Sequence, residues 1–429
     1  MSALAWIAVA IFVVAYVLIA TEKINRVKVA VGGAAIMLAI GANDAEHAFF
    51  SGEAGIDWNV IFLLMGMMII VGVLRRTGLF EFVAIWSAKK ARGRPFPIMV
   101  ILILVTGIVS AGLDNVTTVL LVAPVTLLVC ERLDVPPVPF LIAEVLASNV
   151  GGAATLVGDP PNIIIASRSG LSFNQFLVTL GPIVALVLVV LVGVCRIMFR
   201  KAFRYDPERV AQVMSLRERD AIRDPRLVRI SLGVLAAVLL AFGLHTVLHI
   251  EPAVVALLGG LLLLALSRLD AEDVARDVEW PTLVFFAGLF VMVGSLVNTG
   301  VIDTIAKAAT EATADRLWPA TLLLLWASAG LSAIVDNIPY VATMSPIVAD
   351  LVEANGGLDK GQVLWWALAL GADFGGNATA VGASANVVVL GIAERSGHRI
   401  SFWEFTRYGL LVTVISVALA VPYLWLRFF

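Results

Sequence analysis

Charge is scarce in this sequence of 429 residues. Asp, Glu, Lys and Arg make up 14%, against 60% hydrophobic residues, and they gather between apolar runs that mostly exclude them. With a mean hydropathy of +0.97, this excludes an ordinary soluble globular protein. Cysteine is nearly absent. Cys130 and Cys195 lie near span ends without metal-ligand spacing, so they read as buried thiols and not as a disulfide or zinc site. Of the four histidines, His245 and His249 share a helix face at a span end with no further ligand in view, and His398 falls in a loop. There is no P-loop, nucleophile elbow or HExxH, so nothing argues for an ATPase or a membrane protease, and an enzyme is not expected. The basic residues after Arg200 read as a solvated cytoplasmic face, not a nucleic-acid patch. No basic segment precedes the first apolar run, which therefore reads as a retained span and not a cleaved signal.

What is present is an all-α polytopic membrane pattern. Spans are expected at Leu4–Ala20, Val27–Ile40 and Val60–Leu74, followed by an amphipathic linker from Leu79 to Arg94. Pro95–Cys130 is apolar except for Asp114-Asn115 near its middle. As one helix it would be about 54 Å long, against a hydrocarbon core of ~30 Å. It must turn back, and Gly112, Asp114 and Asn115 supply the turn chemistry. About 15 residues follow the turn, fewer than a full span needs, which favours a re-entrant hairpin. Val138–Ser167 would reach about 45 Å, and Gly151-Gly152, Gly158 and Pro160-Pro161 mark where it unwinds. Unwound backbone at membrane depth is tolerated only inside protein or along a cavity. Leu177–Met198 reads as an ordinary span. Trp365 and Trp366 read as membrane-interface anchors.

The second half repeats the first. Asp336-Asn337 echoes Asp114-Asn115, and GGNATAVGASANVVV echoes GGAATLVGDPPNIII. The pairs Asp57/Glu279, Thr77/Thr299 and Asp114/Asp336 all stand 222 positions apart, and Gly158/Gly382 and Asn162/Asn386 stand 224 apart. So steady an offset marks an internal repeat. Residues 1–199 form the first repeat, with spans in 1–75, a hairpin at 95–130 and a broken helix at 138–167. Residues 200–229 form a cytoplasmic linker. Residues 230–429 form the second repeat, with a hairpin near 317–352 and a broken helix near 362–393. Lys and Arg concentrate in Lys23–Lys28, Arg75–Arg94 and Arg200–Arg229, whereas Asn43–Asp57 carries none. That alternation fits five crossings per repeat, which inverts the second repeat relative to the first and puts both termini outside.

The chemistry lies in the breaks. Asp114, Asp159, Asp336 and Asp373 fall in or beside them, where an ionisable residue is a pointer to an ion or proton path. Asp114 and Asp336 each precede a helical run whose N-terminal dipole favours the charged form, while desolvation opposes it. Two carboxylates ~6 Å apart repel by about 3 kcal/mol at an effective dielectric of ~20. The segments themselves carry no Lys or Arg (Arg168 follows just after), so a convergent set needs Na⁺ or H⁺ among its members. Asn115, Asn149, Asn162, Asn337, Asn377 and Asn386, with Thr117, Thr155, Thr379 and Ser384, add neutral oxygens suited to a hard cation. Interhelical hydrogen bonding is the plainer role for such side chains. Gly151, Gly152, Gly375 and Gly376 permit close packing and bare the backbone. Glu144, one turn before Asn149, reads either as a proton relay or as a structural bond.

These segments resemble the ion transporter superfamily, in the branch of arsenite permeases, NhaD-type sodium–proton antiporters and the melanosomal P protein. LDNVTTVLLVAPVT, LIAEVLASNVGGAATLVGDPPNIII and VDNIPYVATMSPIV carry the resemblance, and it spans nearly the whole chain. It implies an elevator transporter: a homodimer with a scaffold domain and a moving domain built from the hairpins and broken helices. In the related dicarboxylate symporters a Ser-Asn-Thr motif occupies each hairpin tip. Here the tips read Asp114-Asn115-Val116 and Asp336-Asn337-Ile338, and Asp159 replaces a neutral residue, charge that would repel citrate or succinate. NhaD-type antiporters are similar in having acids at Asp114 and Asp159 with Asn149 between, although the prolines after Asp159 depart from their pattern.

The expectation is a secondary transporter of the inner membrane, most simply a cation/proton antiporter. Asp114 and Asp159 would be the exchangeable carboxylates, with Asp336 and Asp373 as their pseudo-symmetric partners, and Na⁺ would sit at Asp114, Asn115, Asn149 and Asp159. No cofactor is expected beyond Na⁺ or H⁺ as coupling ion. The partners are a small ion, the lipid bilayer and a second copy of the chain. The alternatives are arsenite efflux, in which a soluble ATPase subunit can assist, and an organic-anion carrier or channel.

Overall fold

Each long apolar run becomes a helix, and the polar residues at its ends become caps. Asp57 accepts from the Asn59 and Val60 amides to start one helix, and Ser172 with Gln175 closes a capping box at another. The computed structural model describes residues 1–21, 23–52, 54–203, 214, 217–313 and 316–429. Within the expected linker 200–229, residues 204–213, 215 and 216 lie outside the described residues.

The first half runs α1 (Ala3–Ala20), α2 (Arg26–Ala39), α3 (Ala45–Phe50), α4 (Trp58–Arg76), α5 (Leu79–Lys90), α6 (Pro95–Gly112), α7 (Asn115–Leu133), α8 (Val138–Gly152), α9 (Pro160–Ser169) and α10 (Phe173–Met198). The second half runs α11 (Pro225–Leu248), α12 (Pro252–Ser267), α13 (Ala271–Asp277), α14 (Trp280–Asn298), α15 (Val301–Thr313), α16 (Leu317–Ser332), α17 (Asn337–Ala354), α18 (Val363–Gly375), α19 (Ser384–Arg395) and α20 (Phe402–Phe428). A single turn at Gly357–Gly361 precedes α18. Each helix of the first half has its counterpart ten labels later. Eight of the described helices are long and apolar enough to cross a membrane: α1, α4, α6, α7, α10, α11, α14 and α20.

Packing exchanges partners between the halves. α4 lies along α12 and α2 along α14, while α6 packs on α8 and α16 on α18. The approach of α6 to α8 is close because both present glycine: a Cβ on Gly151 would stand 2.1 Å from the Gly107 carbonyl oxygen. At the matching crossing, a Cβ on Gly375 would stand 2.6 Å from the Ala329 carbonyl oxygen. Further contacts cross between the halves, among them α7 against α19 and α17 against α9. They bring the turn between α6 and α7 and the turn between α16 and α17 to one place.

Two expectations need correction. α7 continues to Leu133, so each arm of the first hairpin passes the length test for a span, and length alone does not separate a re-entrant hairpin from two crossings. What distinguishes this turn is burial, with Leu113 and Asn115 each 3% exposed. Trp365 and Trp366 are not interface anchors. Both are buried, and Trp366 packs edge-on against Phe176 at 5.0 Å between ring centres. They fill the junction between α18 and α10, where bulk matters more than an indole's affinity for headgroups.

Candidate functional site

The α6–α7 turn is tied to the break between α8 and α9 by side chains that stand in for missing helical bonds. Thr155 Oγ1 donates to the Ala111 carbonyl at 2.5 Å and accepts from the Gly158 amide at 3.2 Å. Asn162 Nδ2 donates to the Thr155 carbonyl, and Ser110 Oγ donates to the Ser148 carbonyl at 2.7 Å. The second half repeats these bonds. Thr379 Oγ1 donates to Ala333, Asn386 Nδ2 to Thr379 and Gly376, and Ser332 Oγ to Ala372. The Thr155 and Thr379 hydroxyls and the Nδ2 groups of Asn162 and Asn386 are therefore spent on backbone, while Asn162 Oδ1 has no partner among the described residues. The carbonyls of Thr155, Thr379 and Gly376, bared by unwinding, are already met.

Inside this frame six polar side chains converge. Asp159, 1% exposed, accepts from Asn115 Nδ2 at 2.7 Å, and Asn337 Nδ2 lies 3.4 Å from each of its oxygens. Asn115 also donates to Asn149 Oδ1 at 3.2 Å. Asn149 Nδ2 donates in turn to Asn377 Oδ1 at 3.0 Å and Asn386 Oδ1 at 2.9 Å. One chain of amides thus links both hairpin turns and both helix breaks through a single carboxylate. Asp373 is fully buried on the last turn of α18, and neither of its carboxylate oxygens has a hydrogen-bond partner among the described residues. An uncompensated carboxylate in so dry a place is costly unless a proton or cation accompanies it.

The other three aspartates all lie near enough to Asp159 to repel its charge, but each has its own surroundings. Asp114 caps α7, accepting from the Thr117 amide at 2.9 Å and from the Thr117 hydroxyl. Asp336 caps α17, accepting from the Ile338 amide at 3.0 Å and from Ser384 Oγ at 2.5 Å. Asp114 and Ser384 border a cavity of about 230 Å³, together with Arg26, Glu279, Pro160 and Ile338. Arg26 Nη1 donates to Ser384 Oγ at 2.6 Å and stands 3.5 Å from Asp336 Oδ2. The expectation of no basic neutraliser holds along residues 95–130, 138–167, 317–352 and 362–393 but not in space, because α2 supplies Arg26. Arg26 and Glu279 carry no local signal: one reads as a topological charge, the other as a mark of the repeat.

The symmetry assignment also changes. At an offset of 224, the counterpart of Asp159 is Ala383, and both precede the second half of a broken helix. The counterpart of Asp373 is Asn149, and both close the first half of one. Each repeat contributes one carboxylate to the breaks, from opposite sides of the interruption. Glu144 is buried, with one oxygen accepting from Thr126 and the other unpartnered among the described residues. His245 and His249 bond only nearby carbonyls, and no set of three or more His, Cys, Asp and Glu with metal-binding geometry occurs among the described residues.

A sequence model of the citrate transporter family matches residues 16–371. The chain belongs to the citrate transporter family. Relatives in that family are close. An uncharacterized transporter of Mycobacterium tuberculosis is 57% identical over 99% of this chain and 98% of its own length. A 46 kDa membrane protein of Mycobacterium leprae is 57% identical over 98% of each. The human P protein is 33% identical over 97% of this chain and 59% of its own length. The YdaH transporter of Alcanivorax borkumensis shares the fold, with a TM-score of 0.59 and 16% identity over 84% of each chain. The protein is therefore a multi-pass membrane protein and a secondary transporter of the citrate transporter family, not an enzyme.

Proposed function

We propose that this transporter exchanges Na⁺ or Li⁺ for H⁺ across the inner membrane. The cation would be held by Asp159, Asn115, Asn149 and Asn337, and the proton shared with Asp373. One observation carries the reading: the Asp159 carboxylate, 1% exposed, meets amides from both hairpin turns and no basic side chain among the described residues. The Nδ2 groups of Asn115 and Asn337 now face Asp159, and rotating these amides would turn their oxygens toward it to complete an oxygen set for a hard cation. Asp114 is the entry-side carboxylate, since it borders the open cavity and not the amide chain.

The movement we propose is an elevator within a homodimer, built on two inverted repeats whose termini face outside. α1, α2, α4, α11, α12 and α14 form the scaffold. The hairpins α6–α7 and α16–α17 are re-entrant and travel with the broken helices α8–α9 and α18–α19. The partner exchange of α4 with α12 and α2 with α14 supports a scaffold built from both halves.

A second reading, carriage of an organic anion, is favoured by Arg26 at the cavity and by the family's description. Everted vesicles with a pH-sensitive dye separate these readings. Na⁺- or Li⁺-dependent proton release is expected. Citrate-dependent or arsenite-dependent proton movement without any Na⁺ response would overturn the antiport reading.

A further inference from the structure

We propose that Arg26 is a positioning residue that ties the scaffold to the moving unit and blocks movement of the unloaded carrier. The proposal rests on the elevator reading above. Arg26 opens α2, which packs along α14 and α1 and makes no comparable contact with the hairpins or broken helices. Its side chain nevertheless crosses to them. Nη1 alone makes both polar contacts, 2.6 Å to Ser384 Oγ at the start of α19 and 3.5 Å to Asp336 Oδ2 at the α16–α17 turn. Ser384 Oγ closes the triangle by donating to Asp336 at 2.5 Å. The guanidinium also lies over the Phe285 ring at 5.3 Å, which fixes it from the scaffold side. Asp336 is only 14% exposed, so water does not readily replace a lost partner.

Among the described residues the first hairpin has no such tie. Asp114 is satisfied by Thr117 within its own helix, and of the two charged scaffold residues bordering its cavity, Glu279 carries the same sign of charge while Arg26 is engaged by Ser384 and Asp336. Arg26 opens α2, and the residue that opens the counterpart helix α12 is Pro252. The two hairpins, alike in sequence, are thus electrostatically unlike. Sliding the moving unit away from α2 would leave Asp336 as a largely buried carboxylate without its cation. Only a unit in which Asp336 itself has taken up a proton or a cation in place of Arg26 avoids that cost, which confines movement to the loaded carrier.

The test reads position, not transport. Nitroxide labels at Val31→Cys on α2 and Leu128→Cys on α7, both exposed sites, report the distance between scaffold and moving unit in the full chain, and native Cys130 and Cys195 are buried. In Na⁺-free buffer the parent protein is expected to give one dominant distance. Arg26→Gln and Asp336→Asn should each add a second population, raising its share at least threefold, and the double variant should add nothing more. Arg26→Lys should restore the parent distribution, because a single nitrogen makes both contacts and the guanidinium fork is not used. If Na⁺ or pH shifts the parent distribution while both single variants leave it unchanged, the tie is refuted and the elevator stands. If no condition and no variant yields a second distance, both are refuted.

Discussion

Asn337 Nδ2 stands 3.4 Å from both carboxylate oxygens of Asp159, 178 positions earlier in the chain. Asn115 reaches the same carboxylate at 2.7 Å from its own half. A buried carboxylate served by donors from both halves changes its surroundings whenever either hairpin turn shifts, which is how a site can sense the conformation of the whole carrier.

Removing charge from this carboxylate should stop exchange. Asp159→Asn and Asp373→Asn are each expected to lower Na⁺-dependent proton release in everted vesicles at least tenfold with normal membrane insertion. Asp114→Asn should likewise abolish coupled proton movement while leaving the fold intact, since an asparagine still caps α7. Full activity in all three variants would remove the mechanism.

The two asparagines should not count equally. Asn115 makes the shorter bond and also holds Asn149, whereas Asn337 makes two long ones. A hydrogen bond to a charged group contributes about 1.5–3 kcal/mol, which is roughly tenfold or more in affinity. Asn115→Ala should therefore raise the Na⁺ concentration for half-maximal exchange by about tenfold and Asn337→Ala by less. The reverse order, measured on the same vesicles, would contradict the geometry.

Close packing makes a separate prediction. Gly151→Ala places a Cβ against the Gly107 backbone and Gly375→Ala against that of Ala329. Overpacking of this kind costs about 1–3 kcal/mol. Both should lower the melting temperature of the purified protein in detergent. Gly193→Ala, with nothing near its added methyl, should not.

The threonines at the breaks should behave as a matched pair. Thr155→Val removes the bonds to Ala111 and Gly158, and Thr379→Val those to Ala333 and Val381. Each substitution orphans backbone groups that are buried or part-buried and should destabilise the fold by about 1–3 kcal/mol. Melting curves of the two variants should fall together. A loss confined to one would show that the halves do not share this support.

Much of the architecture can be read along the chain, because it rests on local chemistry. Apolar runs of span length, the glycine and proline interruptions near 151–161, and the capping aspartates Asp114 and Asp336 all announce themselves by composition and spacing. The repeat is legible because offsets of 222 and 224 survive in residues that each break and turn requires. The extent of α7 beyond Cys130 is not legible, since charged residues at Glu131 and Arg132 resemble a loop until the helix is seen to continue through them.

Sequence by itself determined that this is a membrane protein in two related halves with acids and amides at its helix breaks, since burial in lipid admits few other meanings for such residues. Only the tertiary structure decided which of them meet. Asp159 joins amides from both halves, Asp373 is buried with no hydrogen-bond partner among the described residues, and Asp336 finds Arg26 from 310 positions away. Long-range pairing is set by how helices pack across the halves, and no local pattern of residues encodes that.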